Sequence, residues 1–518
     1  MSNVSRCLVV GVFLIPSTVG AGQQRTDLVA LISQAQQLLA QGRVTDAEQL
    51  VQKVTTENPH LSMGFELLGK VYEAQHRYTE AVEAYRRAIE VEPKRASLHN
   101  SLGVDLLKQG HMEGAAREFK AALEVDPAHQ AAATNLAMIS LQQKNYSQAI
   151  KYYELARSLR PDDPETLLGL AAAYFSAGDS LKALAAAESL SGSSAAVPSI
   201  HFSLGLLLAE NHAYRQAVVE FEKAAREGPP NPDVLLNLGQ ARSHLGEFVE
   251  AKANYFEAIE LNPEDAAPYV RIGADYLAQN RGPHAIVWFM RATKMDPQRP
   301  ETLYLLGTAL VDEHYYETAQ VYLGRYTALR AEDAKGWLLL GDAYLKDEQL
   351  EKALDSYQKA LALVPGLASA HYLVGYTYYG LKDFASAKKY LLETLRLDPA
   401  YFAAHLRLAE ISYRENQDGE AINHLQFILA SRPQSAEANY DLAKVYVRQR
   451  RFDDAGRILT PIVQQFPQEP RYHYLLAQLY RETGKAQQAE SELKAYKVMD
   501  EMQSVQHRYI RHSFIYVE

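Results

Sequence analysis

The chain of 518 residues contains a single cysteine, Cys7, and therefore cannot form an intramolecular disulfide. It also has no excess of positive charge, because 53 Lys and Arg residues are set against 63 Asp and Glu residues, a formal net charge of −10. A chain with this balance has no general attraction to nucleic acid or to anionic lipid. These two absences argue against a disulfide scaffold and predict no nucleic-acid partner.

The N-terminal apolar stretch is too short to cross a membrane. It runs from Cys7 to Ile15 after one basic residue, Arg6, whereas a spanning helix needs about 20 apolar residues. This layout is typical of a secretory signal peptide over residues 1–22, with a cut after Ala21. The alternative is an ordinary disordered N-terminus. We expect an exported protein, periplasmic or secreted, with no transmembrane span and no cysteine in its mature chain.

The length excludes one ordinary core, which stops growing at about 250–300 residues, so the chain is either several domains or an array. What the sequence does contain is a period of 34 residues. When each repeat is numbered so that Lys335 is its second residue, the twentieth place is always alanine. These alanines are Ala47, Ala81, Ala115, Ala149, Ala183, Ala217, Ala251, Ala285, Ala319, Ala353, Ala387, Ala421, Ala455 and Ala489.

Each repeat has the pattern of two amphipathic helices. In the stretch "KGWLLLGDAYLKDEQLEKALDSYQKALALVP", Leu340 and Tyr344, and then Ala353, Tyr357 and Ala360, recur at three- and four-residue steps. The eighth place is always glycine or alanine, which we interpret as the point where the two backbones approach closely. Five repeats have glycine at the fifteenth place, where a left-handed residue ends the first helix, and most repeats close with a proline, which cannot continue the second helix.

The 34-residue period, with Trp337, Leu340, Gly341 and Tyr344 followed by Ala353, Tyr357, Ala360 and Pro365, resembles the tetratricopeptide repeat. The resemblance covers fourteen repeats, residues 28–503. It implies an all-α fold, a right-handed superhelical solenoid of antiparallel helix pairs, with the first helix of every repeat lining a concave groove. Residues 504–518 leave the period and are expected to cap the last repeat.

Two interior stretches depart from the pattern, residues 189–199 and residues 329–336, where Ala331 stands in the place of the closing proline. Residues 189–199, "SLSGSSAAVPS", place serines and a glycine where the second helix should finish. We interpret this stretch as a possible joint within the array, and a frayed helix end without consequence is the alternative.

Chemistry-bearing side chains do not form a recognisable catalytic or metal site. There is no phosphate-binding loop with Gly-Lys-Ser/Thr, no His-Glu-x-x-His and no Gly-x-Ser-x-Gly. Histidines at the fourth place of five repeats stand where Trp337 stands in its own repeat, so we interpret them as packing rings: His99, His201, His371, His405 and His473. The sequence predicts no catalytic residues, no cofactor and no metal, and we expect no separate catalytic domain outside the repeats.

A repeat protein without a catalytic site has to work through a surface. The resemblance implies a groove lined by the second, fifth, sixth, ninth, twelfth and thirteenth places. From the ninth repeat onward these places collect tyrosines and basic residues. The candidate peptide-binding residues are Tyr304, Tyr372, Tyr376, Tyr379, Arg407, Tyr413, Arg414, Tyr440, Lys444, Arg448, Arg471, Tyr474 and Arg481.

Tyrosine and arginine are over-represented at binding hot spots, since they offer large contact areas and polar tips. We therefore predict a groove for peptide segments that carry aromatic or acidic groups; the alternative is that these tyrosines only pack across neighbouring helices. The sequence favours a non-enzymatic scaffold for protein–protein interaction. The alternative function is a regulatory or substrate-recruiting subunit of an enzyme complex, and an enzyme in its own right is the weakest of the three hypotheses.

Overall fold

The computed structural model describes residues 18–193 and 196–513, with side chains described for residues 28–193 and 196–502. These residues form 28 α-helices, and within the described ranges there is no β-strand. Contacts divide the chain into two compact units, Met1–Asn262 and Pro263–Glu518. In each unit the two helices of a repeat pack on each other, as the sequence predicts for an all-α array of helix pairs.

The first unit contains fourteen helices in its described part: α1 Thr18–Ala40, α2 Val44–Glu57, α3 Ser62–Ala74, α4 Tyr78–Val91, α5 Ala96–Lys108, α6 Met112–Val125, α7 Gln130–Gln142, α8 Tyr146–Leu159, α9 Pro164–Ser176, α10 Ser180–Ser191, α11 Pro198–Glu210, α12 Tyr214–Glu227, α13 Pro232–His244 and α14 Phe248–Leu261.

The second unit contains another fourteen in its described part: α15 Ala266–Ala278, α16 Gly282–Met295, α17 Pro300–Asp312, α18 Tyr316–Leu329, α19 Ala334–Lys346, α20 Leu350–Leu363, α21 Ala368–Gly380, α22 Phe384–Leu397, α23 Phe402–Arg414, α24 Asp418–Ser431, α25 Ala436–Arg448, α26 Phe452–Gln465, α27 Pro470–Glu482 and α28 Ala486–Ser513.

The turn inside each repeat depends on one left-handed residue. The fifteenth place has a positive φ, between 56° and 81°, in every repeat. At Gly110 the amide donates to Leu107 O (2.9 Å) and the next amide, of His111, donates to Leu106 O (2.8 Å), which closes the end of α5. The five predicted glycines are confirmed, and nine further repeats hold a residue with a Cβ in the same conformation: His76, Lys144, His212, Asn280, His314, Glu348, Lys382, Asn416 and Arg450.

The small residue at the eighth place leaves space mainly for the side chain at the twenty-fourth place of the same repeat, and less for the backbone of the second helix. A Cβ built on Gly273 would lie 2.6 Å from Cε1 of Phe289, the twenty-fourth residue of the same repeat, which is fully buried. Rings fill the same space opposite Gly69, Gly103, Gly205, Gly239 and Gly341. The prediction of a close backbone approach was therefore incomplete, because the glycine chiefly accommodates a core ring.

The fourth-place rings do more than pack. Nδ1 of His99 lies 2.8 Å from Glu118 Oε2 on the second helix, and Nε2 lies 3.0 Å from the carbonyl of Pro93, which closes the preceding repeat. His473 has the same pair of partners, Glu492 and Pro467, and Trp337 donates to the carbonyl of Ala331. The described side chains contain no group of three potential ligands that could hold a metal ion.

The structure describes only part of the predicted terminal segments. Residues 1–17 and 514–518 lie outside the described part, and so do the side chains of the predicted cap. Helix α1 already begins at Thr18, before the predicted cut and before the first repeat, and α28 continues the last repeat to Ser513. None of the helices described for residues 18–193 and 196–513 has the length and apolar character needed to cross a bilayer.

The predicted joint lies inside the first unit. Helix α10 has 12 residues, whereas its neighbours α8 and α12 have 14, and it ends at Ser191 with Gly192 as its C-cap. The serine-rich sequence thus shortens the second helix as expected. Whether the stretch works as a joint stays a prediction.

Candidate peptide-binding surface

Tyrosines and cations alternate along four successive first helices of the second unit. We call this set the tyrosine–cation strip and define it as Tyr372, Tyr376, Tyr379, Arg407, Tyr413, Arg414, Tyr440, Lys444 and Arg471. Its members come from α21, α23, α25 and α27, and the 34-residue period places them side by side.

The strip begins on α21, where Tyr372 and Tyr376 stack with their ring centroids 5.9 Å apart. The next first helix, α23, contributes Arg407, whose guanidinium carbon lies 5.6 Å from the ring centroid of Tyr376 and 5.7 Å from that of Tyr379. Arg414, the last residue of α23, lies 5.9 Å from the Tyr379 ring. Each cation is thus placed over a tyrosine of the preceding first helix, at cation–π distance.

The same arrangement repeats between later helices. Lys444 of α25 lies 4.9 Å from the Tyr413 ring of α23. Arg471 of α27 lies 5.4 Å from the Tyr440 ring of α25. The strip is therefore continuous over four repeats. Its tyrosines pack across neighbouring first helices, as one of the two interpretations of the sequence predicts, and they also remain partly exposed, as a binding surface requires.

Carboxylates balance part of the positive charge. Arg407 pairs with Glu410 (2.6 Å) and Lys444 pairs with Asp441 (3.0 Å). Burial, which lowers the pKa of the Lys444 ammonium, is outweighed by the Asp441 carboxylate, so that its pKa is raised overall. Burial also raises the pKa of the Tyr440 hydroxyl. Both shifts favour a charged Lys444 ammonium beside a neutral Tyr440 phenol.

Two arginines of the strip are exposed to solvent, Arg414 and Arg471. Among the described side chains, no carboxylate lies within ion-pair distance of Arg414, whereas Arg471 has two long pairs, with Glu469 (3.5 Å) and Glu437 (3.9 Å). Neither guanidinium group is held by a short ion pair, and Arg471 donates to the Tyr472 hydroxyl (3.2 Å).

Arg448 has a different role from the other candidates. Its guanidinium lies 3.7 Å from the Tyr413 ring, donates to the carbonyl of Tyr413 (2.5 Å) and to Asn416 Oδ1 (3.2 Å), and pairs with Asp418. Arg448 thereby connects α25 to the end of α23, to the turn that follows and to the start of α24. We call this set of contacts the fastening of α25. These contacts were not predicted from the sequence, because Asn416 lies in the turn of the preceding repeat and Asp418 begins the second helix of that repeat, α24.

Three candidates lie at the ends of the strip or away from it. Tyr304 of α17 packs against Tyr326, with centroids 5.2 Å apart, and contacts no strip residue within the described interactions. Tyr474 is 44% exposed and packs on Tyr496 of α28. Arg481 is exposed near the end of α27. The structure therefore brings ten of the thirteen candidates together, with Arg448 as a structural member.

The corresponding places of the first unit form a surface of different character. Met63 and Met138 are 44% and 43% exposed, and Leu168 is half-buried. These three side chains of the first unit are apolar, whereas the strip of the second unit consists of tyrosines and cations.

Paired helices in tandem, with small residues opposite core rings, define an all-α solenoid protein of the helical-repeat class. Family models described as "Tetratricopeptide repeat" match residues 140–196 and 415–479, residues 100–164 and 372–436, and residues 232–265. A model described as "TPR repeat" matches residues 328–382, and one for the C-terminal ARM domain of tetratricopeptide repeat protein 21 matches residues 28–129. The chain belongs to the tetratricopeptide repeat family.

Solved structures of this class resemble parts or most of the chain. YrrB, a TPR protein with an unusual peptide-binding site, is 26% identical, covers 36% of this chain and 95% of its own, and has a TM-score of 0.34. MamA from Desulfovibrio magneticus RS-1 is 25% identical, with 33% and 96% covered and a TM-score of 0.31. The Cut9–Hcn1 structure of the APC/C is 16% identical, with 89% and 99% covered and a TM-score of 0.38. No curated protein matches the chain.

Proposed function

We propose that the protein is a non-enzymatic scaffold that binds peptide segments of partner proteins on the tyrosine–cation strip. The observation that carries the proposal is the continuity of the strip over α21, α23, α25 and α27, where each cation lies over a tyrosine of the preceding first helix. Four adjacent first helices present a surface long enough for an extended segment, with rings and charges at repeated intervals.

The chemistry of the strip favours a partner with acidic and aromatic side chains. Exposed Arg414 and Arg471 offer forked donors that match a carboxylate. The half-buried faces of Tyr376 and Tyr413 offer flat, rigid contact area with little rotamer entropy to lose. Basic peptides are disfavoured, because they would meet the strip's own cations.

The test is selection of peptides from a displayed random library on the full chain, followed by affinity measurement in solution. We expect the enriched peptides to carry acidic and aromatic residues, and the double variant Arg414→Glu/Arg471→Glu to bind them at least tenfold more weakly. The matched control is Arg457→Glu, which changes the same residue type on second helix α26, where the side chain is 78% exposed.

Two results would contradict the proposal. One is enrichment of basic peptides, and the other is equal loss of affinity in the strip variant and in the Arg457 control. An enzyme that is recruited through such a peptide, with its own turnover altered, would instead favour the regulatory-subunit hypothesis over a simple scaffold.

We also propose that the chain is exported. The proposal depends on the order of basic, apolar and small residues within residues 1–22. N-terminal sequencing of the protein recovered from its host tests it: a chain that begins at Gly22 is expected, and a chain that retains Arg6 and the apolar run contradicts export with cleavage.

A further inference from the structure

One repeat of the first unit lacks the large core side chain of its neighbours. The twenty-fourth place holds a buried ring in five second helices, namely Tyr85, Phe119, Tyr153, Phe221 and Tyr255, each at most 4% exposed. In α10 the same place is Ala187, and the eighth place of that repeat is alanine too, Ala171. The volume of a ring is therefore missing from this repeat.

The missing side chain would reach the next repeat. In the preceding repeat, the ring of Tyr153 extends to Gly169 on α9, where an added Cβ would overlap it. By the same geometry, a ring at position 187 would extend from α10 toward α11. Ala187 cannot fill that space.

A cavity of about 300 Å³ lies there, bounded by α10, α11 and α12. Its apolar wall consists of Leu184, Ala187, Leu204, Leu208 and Val219. The cavity opens to solvent beside Glu188, Gln216 and Val219, which are exposed. Its volume is at the lower end of small-molecule sites, and about 150 Å³ of apolar cavity is enough to hold benzene.

The polar wall of the cavity is fixed by the protein itself. Glu220, only 2% exposed, accepts from Ser191 Oγ (2.5 Å) and Lys223 Nζ (3.2 Å) through Oε1 and from His201 Nδ1 (2.7 Å) through Oε2. Lys223 also donates to the Ser191 carbonyl (2.8 Å). Because these partners hold the Glu220 carboxylate in place, it can accept one further donor from a ligand but would repel an anion.

We propose that this cavity binds a small, uncharged aromatic molecule of one or two rings that carries a single hydrogen-bond donor, of the size and chemistry of indole or phenol. Its ring lies beside Ala187, on the side toward which the Tyr153 ring extends in the preceding repeat. Its donor faces the carboxylate wall, where Glu188 and Gln216 line the mouth beside Glu220. This site is on the first unit and is independent of the tyrosine–cation strip.

Isothermal titration calorimetry of the full chain with indole tests the proposal, with benzoate as the anionic probe of similar size. We expect saturable 1:1 binding of indole and at least tenfold weaker binding of benzoate. Ala187→Phe should abolish indole binding and raise the melting temperature, since the new ring fills the cavity. The matched control is Ala185→Phe, an exposed neighbour on α10, which should leave indole binding unchanged.

A second variant keeps the test informative if Ala187→Phe does not fold, as judged by circular dichroism. Val219 is 46% exposed at the cavity, so Val219→Trp should fold and close the mouth. The proposal is overturned if the wild type shows no saturable indole binding, if benzoate binds equally well, or if the folded cavity variants bind indole as tightly as the Ala185→Phe control.

Discussion

Replacement of Gly273 by alanine tests how the core of each repeat is built. Alanine is favoured over glycine in a helix by about 1 kcal/mol, so propensity alone predicts stabilisation. The new methyl carbon, however, would lie 2.6 Å from Cε1 of the buried Phe289 ring. Overpacking of a core typically costs about 1–3 kcal/mol, so we expect a net destabilisation of about 1 kcal/mol.

A double-mutant cycle combines this change with Phe289→Leu. We choose leucine because another repeat has alanine at the eighth place and leucine at the twenty-fourth, namely Ala409 and Leu425. Alone it should cost roughly 1–2 kcal/mol, as large-to-small core changes do. The double variant Gly273→Ala/Phe289→Leu removes the ring, and the leucine can take the packing that the buried Leu425 has opposite Ala409. The double variant should therefore lose less unfolding free energy than the sum of the two single losses, by about 1 kcal/mol or more.

Urea unfolding followed by far-UV circular dichroism measures these differences, with hydrogen exchange of α15 and α16 as the local readout, since repeat arrays do not always unfold in one step. The control is Gly324→Ala on α18, where an added Cβ would have no heavy atom within 4 Å and should stabilise by up to about 1 kcal/mol. Additive costs at positions 273 and 289, or equal effects of the two glycine replacements, would refute the reasoning.

Three further predictions concern the turns, a buried acid and the fastening of α25. Lys144 and Gly110 are both left-handed, a conformation that glycine adopts more readily than a residue with a Cβ. Lys144→Gly should therefore raise the unfolding free energy by about 0.5–1 kcal/mol, and Gly110→Ala should lower it by about 1 kcal/mol. Urea midpoints that move the other way would contradict this. Burial, followed by the Glu73 carboxylate, raises the pKa of Asp105 to about 7. The unfolded value is about 3.9, so the folded state binds more protons between these values and the unfolding free energy falls as the pH rises through them. Asp105→Asn should reduce this slope in pH-dependent unfolding, and an unchanged slope would contradict it. Arg448→Ala should destabilise the C-terminal repeats by about 1–3 kcal/mol, as measured by hydrogen exchange of α25, because it removes charge-assisted hydrogen bonds; unchanged exchange would contradict the fastening.

The 34-residue period was sufficient to predict the helices, their pairing and the left-handed glycines, since each is a local consequence of spacing. The positive φ of Glu348 could not be predicted from its residue type, because a glutamate does not prefer this conformation. It could be predicted only from the position of Glu348 at the fifteenth place, where the turn imposes a positive φ.

The contacts between side chains were less predictable. Sequence placed Arg407 and Tyr376 in one groove but did not show that they touch, because a contact between neighbouring repeats depends on how the helices pack. The histidines at the fourth place were predicted only to pack, and the hydrogen bond between His99 and Glu118 was not predicted. Nineteen residues separate these two side chains, and the same distance along the chain separates His473 from its partner Glu492. That recurring offset was the available signal.

Hydrogen exchange of the full chain with and without a selected acidic, aromatic peptide tests the central claim most directly. If the tyrosine–cation strip is the binding surface, the peptide slows exchange in first helices α21, α23 and α25 and leaves second helices α22, α24 and α26 nearly unchanged. Slowed exchange that is confined to those second helices, or to the first unit, would contradict the proposed function.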